Sequence, residues 1–312
     1  MLAVAFVAFS LFNYVGDPVN LMLGQDATPE QKKELRESLG LDQPDYVQFA
    51  VFVKNAVKGE FGLSLKQGRL VSTLIKERLP ATLELALVAG GLALLGGLLM
   101  GVYTALRRDS WLSQFLLTVS LIGVSLPNFL IGILLILIFA VTLQWLPSYG
   151  RGDVTAIGWW TTGFLTTGGL RALVLPAVTL SLYPMTLIMR LVRSEMLEVL
   201  RTDYIKFARA RGLTNRAVHF GHALKNTLVP VMTITGLQLG SIIAFAIVTE
   251  TVFQWPGMGF LFIQSVQFAD IPVMAAYLVL ISFVFVSINL IVDLLYYVVD
   301  PRLRFERAAG AH

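Results

Sequence analysis

The 312-residue sequence contains no cysteine, and only 14% of its residues are charged. The lack of cysteine excludes disulfide bonds and thiolate metal sites, although it does not identify a redox compartment. The three histidines, His219, His222 and His312, show no metal-ligand spacing, and no G-x-x-x-x-G-K-[ST] phosphate loop occurs. We therefore predict no metal site, no catalytic residue and no ATP hydrolysis by this chain.

Hydrophobic residues are abundant instead, at 56% of the chain, and the mean hydropathy is +0.72. These values exclude an ordinary soluble domain and indicate a protein in contact with membrane lipid. The net charge of +4 could suggest nucleic acid. In a membrane chain, however, the side on which the basic residues lie is the more informative property, so no nucleic-acid partner is predicted.

A membrane-spanning helix needs about 20 mostly apolar residues, because its backbone must satisfy its own hydrogen bonds. Residues 1–15 are apolar but short and lack the basic start of a signal peptide, so we interpret them as the outer part of a first helix. Either the start is assigned too late or the chain is truncated. The sequence predicts an all-α polytopic membrane protein with about six transmembrane helices. The other five predicted helices are residues 81–106, 111–145, 171–193, 226–250 and 273–299.

Lys and Arg residues follow the second, fourth and sixth predicted helices, which places those ends in the cytoplasm. The loops on the opposite side are poor in charge and rich in aromatic residues. The resulting organisation is a first helix at residues 1–15, an external region at 16–80, a permease core at 81–300 with a cytoplasmic loop at 194–225, and a cytoplasmic tail at 301–312.

Two predicted helices carry small residues at every fourth position, which lets another backbone approach closely. Helix packing is the simpler interpretation, and the lining of a translocation pathway is the alternative. The residues are Ala89, Ala93, Gly97 and Gly101 in one helix and Gly236, Gly240 and Ala244 in another.

Three ionisable residues, Glu84, Glu250 and Asp293, lie in or near apolar segments and are candidates for function because their burial is costly. For Glu84 and Glu250, near the outer ends of their helices, we expect a hydrated interface, and for all three we favour structural pairing. An ion-coupled secondary transporter that uses Glu250 or Asp293 is the alternative. A membrane enzyme has little support, because no G-x-S-x-G elbow or close carboxylate pair is present.

The segment "RTDYIKFARARG", residues 201–212, combines basic, aromatic and small residues at helical spacing. A basic loop that only enforces topology would not need this pattern. We predict a short cytoplasmic helix that docks on another surface and ends at Gly212 in a left-handed conformation.

The sequence "DYIKFARARGL" followed by "HALKNTLVPV" resembles the coupling motif of bacterial ABC importer permeases of the dipeptide and oligopeptide branch. Further similarities, in the order of the family, are "NYVGDPVN", "ERLPATLEL", "SLPNFLIGILL", "TETVFQWPGMG" and "VDLLYYVVDPRLR". The resemblance implies that a coupling helix seats in a groove of an ATPase subunit. The residues it assigns to coupling are Asp203, Tyr204, Phe207, Ala208, Arg209, Ala210, Arg211 and Gly212.

The same resemblance implies the rest of the assembly: a second related permease, two ATPase subunits or domains, and an external substrate-binding protein. ATP and Mg²⁺ would bind the ATPase, and this chain would bind no cofactor. Dipeptides or oligopeptides are the expected substrates, with nickel or glutathione as alternatives within the family. The expected location is the bacterial cytoplasmic (inner) membrane.

Overall fold

The computed structural model describes residues 1–14, 19, 23, 28–38 and 42–299. The predicted tail at 301–312 and part of the "NYVGDPVN" and "VDPRLR" motifs lie outside these ranges, as does the side chain of Asp293.

The described chain is almost entirely helical, as predicted. Its helices are α1 Leu2–Tyr14, α2 Pro29–Ser38, α3 Asp45–Lys58, α4 Val71–Leu106, α5 Trp111–Ser125, α6 Asn128–Leu135, α7 Thr167–Val199, α8 Asp203–Ala210, α9 Leu224–Val252, α10 Met258–Gln267 and α11 Ile271–Val299. Segments of π-helix, Ile136–Thr142 and Ala217–Ala223, continue α6 and precede α9. The loop that precedes α7 also contains a short antiparallel hairpin of β1 Thr155–Ile157 and β2 Trp160–Thr162, which the sequence analysis did not predict.

Four of the described helices, α4, α7, α9 and α11, are long and apolar enough to cross a membrane. A fifth crossing exists if α5 and the segment Asn128–Thr142 count as one span. Helix α1 has only 13 residues, short of the about 20 that a span requires. The polytopic fold is therefore confirmed, whereas the predicted number of six spans remains a prediction.

The third predicted helix, residues 111–145, is not continuous. Helix α5 ends at Ser125, Leu126 and Pro127 have extended backbones, and the chain bends by 113° before α6 begins. Proline lacks an amide hydrogen and disfavours a helical conformation in the residue before it, which explains the break at this point. The stretch predicted as one span is therefore two helices with a sharp bend between them.

Both small-residue stripes lie largely at helix contacts. A Cβ atom at Gly97 would lie 2.8 Å from the Cβ of Ile188 and 2.9 Å from the carbonyl oxygen of Met185, and Gly101 is equally close to Val192 on the same helix, α7. Gly236 and Gly240 meet Val292 and Phe285 of α11 in the same way. Ala89 and Ala93 are buried, whereas Ala244 is exposed. The close approach of α4 to α7 thus depends on positions where any larger side chain would strike backbone.

Cysteine labelling can determine whether the bent pair of helices crosses the membrane. In a chain without native cysteine, we expect Gln31→Cys to react in intact cells with an impermeant thiol reagent and Asn215→Cys to be protected. Three crossings, α4, the bent pair and α7, would then separate the two exposed positions. Permeabilised cells, in which both cysteines should react, provide the control. Labelling of both in intact cells would mean that the bent pair returns to the side from which it entered.

Candidate functional site

The predicted cytoplasmic helix forms α8, and one of its faces is anchored on this chain. Ile205 is fully buried and Ala208 is 7% exposed, and both belong to an apolar cluster with Val192 and Met196 of α7 and Val218 of the π-helical segment. Residues three apart on a helix share a face, so Ile205 and Ala208 anchor the same side of α8. Any movement of α8 would therefore act on the end of α7 and on the π-helical segment before α9.

The opposite face of α8 is free in this chain. Phe207 is 65% exposed, and the Arg211 guanidinium lies 5.7 Å from the centre of its ring. Tyr204, at the border of this face, is 42% exposed. Asp203 pairs with Lys206 at 2.8 Å, but both side chains are exposed, so this ion pair contributes little stability. Arg209, Ala210, Arg211 and Gly212 are exposed as well. An exposed aromatic ring among basic groups is typical of a protein docking surface.

Ala208 differs from the other residues that the resemblance assigned to coupling. We expected its small side chain to allow close docking on a partner, yet its methyl group faces the core of this chain. The side chain of Ala208 therefore attaches α8 to its own protein, and its role in coupling remains a prediction. Ala210 and Gly212 are the small residues that remain available at the surface.

Gly212 ends the helix as predicted. Its φ of +80° lies in the left-handed region, and the amide hydrogens of Gly212 and Leu213 are donated to the carbonyls of Arg209 and Ala208 at 2.9 and 3.3 Å. These bonds satisfy carbonyls that a helix end would leave free. The turn separates the exposed face of α8 from the π-helical segment that follows.

Two polar groups connect α8 to the helix that crosses the membrane next. Asn226 of α9 donates from Nδ2 to the hydroxyl of Tyr204 at 2.6 Å and to the carbonyl of His222 at 3.3 Å.

Burial, and to a smaller extent the charge of Arg209, lower the pKa of His219 below its ordinary value. His219 is therefore neutral near neutral pH, and it adds no positive charge at this junction.

Glu84, in the N-terminal half of α4, forms a second structured region. Its carboxylate is almost fully buried, at 2% exposure, and accepts hydrogen bonds from Arg151 Nη2 at 2.6 Å, Trp160 Nε1 at 3.2 Å and the Gly163 amide at 3.3 Å. Arg151 also donates from Nη1 and Nη2 to Thr161 at 2.9 and 2.6 Å. The β1–β2 hairpin is thus attached to α4 by a buried, hydrogen-bonded ion pair.

Glu250 lies fully buried at the outer end of α9. It accepts hydrogen bonds from Thr82 Oγ1 at 2.6 Å and the Phe260 amide at 2.9 Å, and Thr82 accepts one from the Met258 amide at 2.8 Å. A Cβ atom at Gly257 would collide with this carboxylate. The first glycine of "WPGMG", Gly257, therefore lets the loop backbone close over Glu250.

The expected hydrated surroundings of Glu84 and Glu250 were wrong, because both carboxylates are enclosed by protein. Glu84 has a cationic partner, whereas among the described residues no basic group lies within ion-pair distance of Glu250. Sequence reasoning missed Arg151, although it is the one basic residue between residues 146 and 170. A lone arginine in a charge-poor outer loop was the available signal. Within the described part of the chain, no cluster of His, Asp and Glu could hold a metal ion.

Comparison with known proteins identifies the family. Residues 97–305 match the family described as binding-protein-dependent transport system inner membrane component, and residues 1–86 match its N-terminal companion. The dipeptide transport system permease protein DppB of Alkalihalophilus pseudofirmus is 36% identical over 98% of this chain and 96% of its own length. The di/tripeptide permease DppB of Pseudomonas aeruginosa is 40% identical over 97% and 95%, and the glutathione permease GsiC of Escherichia coli is 37% identical over 93% and 90%.

A solved structure of the MetNI methionine ABC transporter shares the fold. Its similarity has a TM-score of 0.58 at 20% sequence identity and covers 73% of this chain and 96% of that one. These findings confirm the resemblance to ABC importer permeases and favour it over an ion-coupled secondary transporter. In this family the ATPase is a separate subunit. The chain belongs to the binding-protein-dependent transport system inner membrane component family, and it is a multi-pass permease of the bacterial inner membrane rather than an enzyme.

Proposed function

We propose that this chain is a permease subunit of an ATP-driven importer of dipeptides or oligopeptides. The observation that carries the proposal is the two-sided environment of α8, which is anchored through Ile205 and Ala208 and exposes Phe207 on its other face. A helix of this kind can transmit the movement of a partner to the core. The substrate class is supported by the names of relatives that are similar over almost the full chain.

The proposed assembly contains a second related permease, two ATPase subunits or domains that bind ATP and Mg²⁺, and an external substrate-binding protein. This chain contributes residues 194–225 as the coupling loop and α8 as the docking element. The exposed residues Tyr204, Phe207, Arg209 and Arg211 would contact the ATPase, since basic and aromatic groups together suit an acidic groove with an apolar floor.

Coupling in this proposal runs from α8 to α9. When the ATPase subunits close, α8 moves with them, and the Tyr204–Asn226 hydrogen bond together with the cluster around Ile205 carries the movement into the spanning helices. The two access states must differ in their contacts, because a ligand shifts an equilibrium only by its differential affinity for the two states.

Reconstituted vesicles provide the test. The complete complex, supplied with binding protein and a radiolabelled dipeptide, is expected to accumulate peptide when ATP is present on the side of α8. An imposed proton gradient without ATP should give no accumulation. Uptake driven by the gradient, or ATP-driven uptake of Ni²⁺ without any uptake of peptide, would contradict the proposal. The relative GsiC makes glutathione, itself peptide-like, the second substrate to measure.

A further inference from the structure

A small recess lies between α6, α7 and α9 and shares no residue with the three regions described above. Its volume is about 150 Å³. Its polar lining residues are Asn128 of α6, Tyr183 of α7, and Gln238 and Ser241 of α9, and its apolar ones are Leu180, Pro184, Ile242 and Phe245. Gln238 and Ser241 are three residues apart and so share one face of their helix. Four polar side chains from three helices thus converge on one point.

The recess lies at the middle of the membrane helices. Tyr183 is the central residue of the 33-residue α7, and Gln238 is the central residue of the 29-residue α9. Asn128 is the first residue of α6, directly after the 113° break. Interrupted helices at the midplane are where membrane transporters place substrate contacts, since irregular backbone is tolerated only where it faces protein or water.

The polar groups of the recess are not used for helix packing. Ser241 Oγ donates to the carbonyl of Leu237 in its own helix at 3.1 Å. Within the part of the chain that the structure describes, the side chains of Asn128, Tyr183 and Gln238 form no hydrogen bond, and the buried hydroxyl of Thr235, one turn before Gln238, has no partner either. Unpaired amides are costly against lipid, so we expect this face to border water, a polar ligand or another protein chain.

The chemistry of the lining indicates the ligand. A primary amide donates and accepts hydrogen bonds at once, as a peptide group does, and no charged residue lines the recess. Neutral amide contacts would bind peptide backbones of different sequence equally, and weakly enough for release. We infer that Asn128, Tyr183, Gln238 and Ser241 form a midmembrane contact site for the backbone of the transported peptide. This inference rests on the proposed function.

The first experiment removes the amide from the recess. In the reconstituted complex, Gln238→Leu is expected to lower the rate of dipeptide uptake at saturating loaded binding protein by about threefold to tenfold, the value of a neutral hydrogen bond. With a dipeptide methylated on its amide nitrogen, the loss should be smaller, because one donor of the substrate is already absent. The control is Asn289→Leu in α11, an amide whose one hydrogen bond within the described residues goes to the Phe285 carbonyl of its own helix. Equal uptake by both variants, or equal losses for both peptides, would overturn the inference.

A second measurement decides the matter if Gln238→Leu does not assemble. Gln238→Cys should be modified by a small water-soluble thiol reagent during turnover, and transported peptide should slow the reaction at least severalfold. A cysteine that does not react in any state would mean that the second permease or lipid covers the recess. If the unmodified complex transports no peptide, the proposed function fails. If it transports peptide and the Gln238 variants match the control, only the recess assignment fails.

Discussion

Replacement of Phe207 by alanine is expected to abolish ATP-driven uptake while leaving the permease inserted in the membrane. The ring is 65% exposed on the free face of α8, and helix attachment depends on Ile205 and Ala208 instead. An exposed aromatic anchor at the centre of an interface contributes about 2–4 kcal/mol to association, equivalent to roughly 30-fold to 1,000-fold in affinity. The measurement is copurification of the ATPase with tagged permease, together with uptake in vesicles.

The matched control is Tyr46→Ala, which removes an aromatic ring of 75% exposure from α3, in the region assigned to the outer side. Tyr46→Ala should leave ATPase copurification unchanged. Phe207→Leu should retain part of the association, because an apolar side chain remains. If Phe207→Ala binds the ATPase and transports peptide like the unmodified chain, α8 does not dock through this face.

Replacement of Arg151 by methionine is expected to destabilise the permease more than any exposed charge change. Glu84 would remain buried without its cation, and breaking a buried ion pair from one side costs about 3–5 kcal/mol. The hairpin would also lose the bonds from Arg151 to Thr161. The purified protein should therefore show a lower melting temperature and a smaller yield of assembled complex.

Two control variants test whether the loss of stability comes from the unpaired buried carboxylate of Glu84 or from the removal of an arginine side chain as such. The double variant Glu84→Gln with Arg151→Met should recover much of the lost stability, since no uncompensated carboxylate remains. Arg69→Met breaks an Arg–Glu pair with Glu77 in which both side chains are about half exposed, 47% and 48%, and should have little effect. A double variant as unstable as Arg151→Met alone would show that the buried charge is not the cause.

Much of the fold could be predicted from local patterns. Apolar length identified the spans now seen as α4, α7, α9 and α11, since a helix in lipid must satisfy its own backbone hydrogen bonds. Pro127 indicated an interruption, but the size of the bend could not be predicted, because "SLPNFLIG" continues an apolar run without a change of composition. Hydropathy measures solvent preference, not backbone direction, so it does not detect a 113° bend.

In the candidate sites, too, some features could be predicted from neighbouring residues and others depend on residues far apart in the sequence. The position of α8 and the left-handed turn at Gly212 follow from residues close in sequence. The inward face of α8 does not, because its burial depends on Val192 and Val218 from other elements. The partner of Glu84 is 67 residues away, and the Thr82–Glu250 contact spans 168 residues.

The sequence by itself determined that this protein lies in a membrane, which family it belongs to, and where the short helix α8 is placed. Each of these depends on composition or on contiguous motifs, which chain order preserves. The tertiary structure alone decided which carboxylate meets which cation, which side of α8 remains free, and that Asn128, Tyr183 and Gln238 converge at one depth. Those properties depend on how distant helices pack, and packing is set by steric and hydrogen-bonding fit that no local pattern contains.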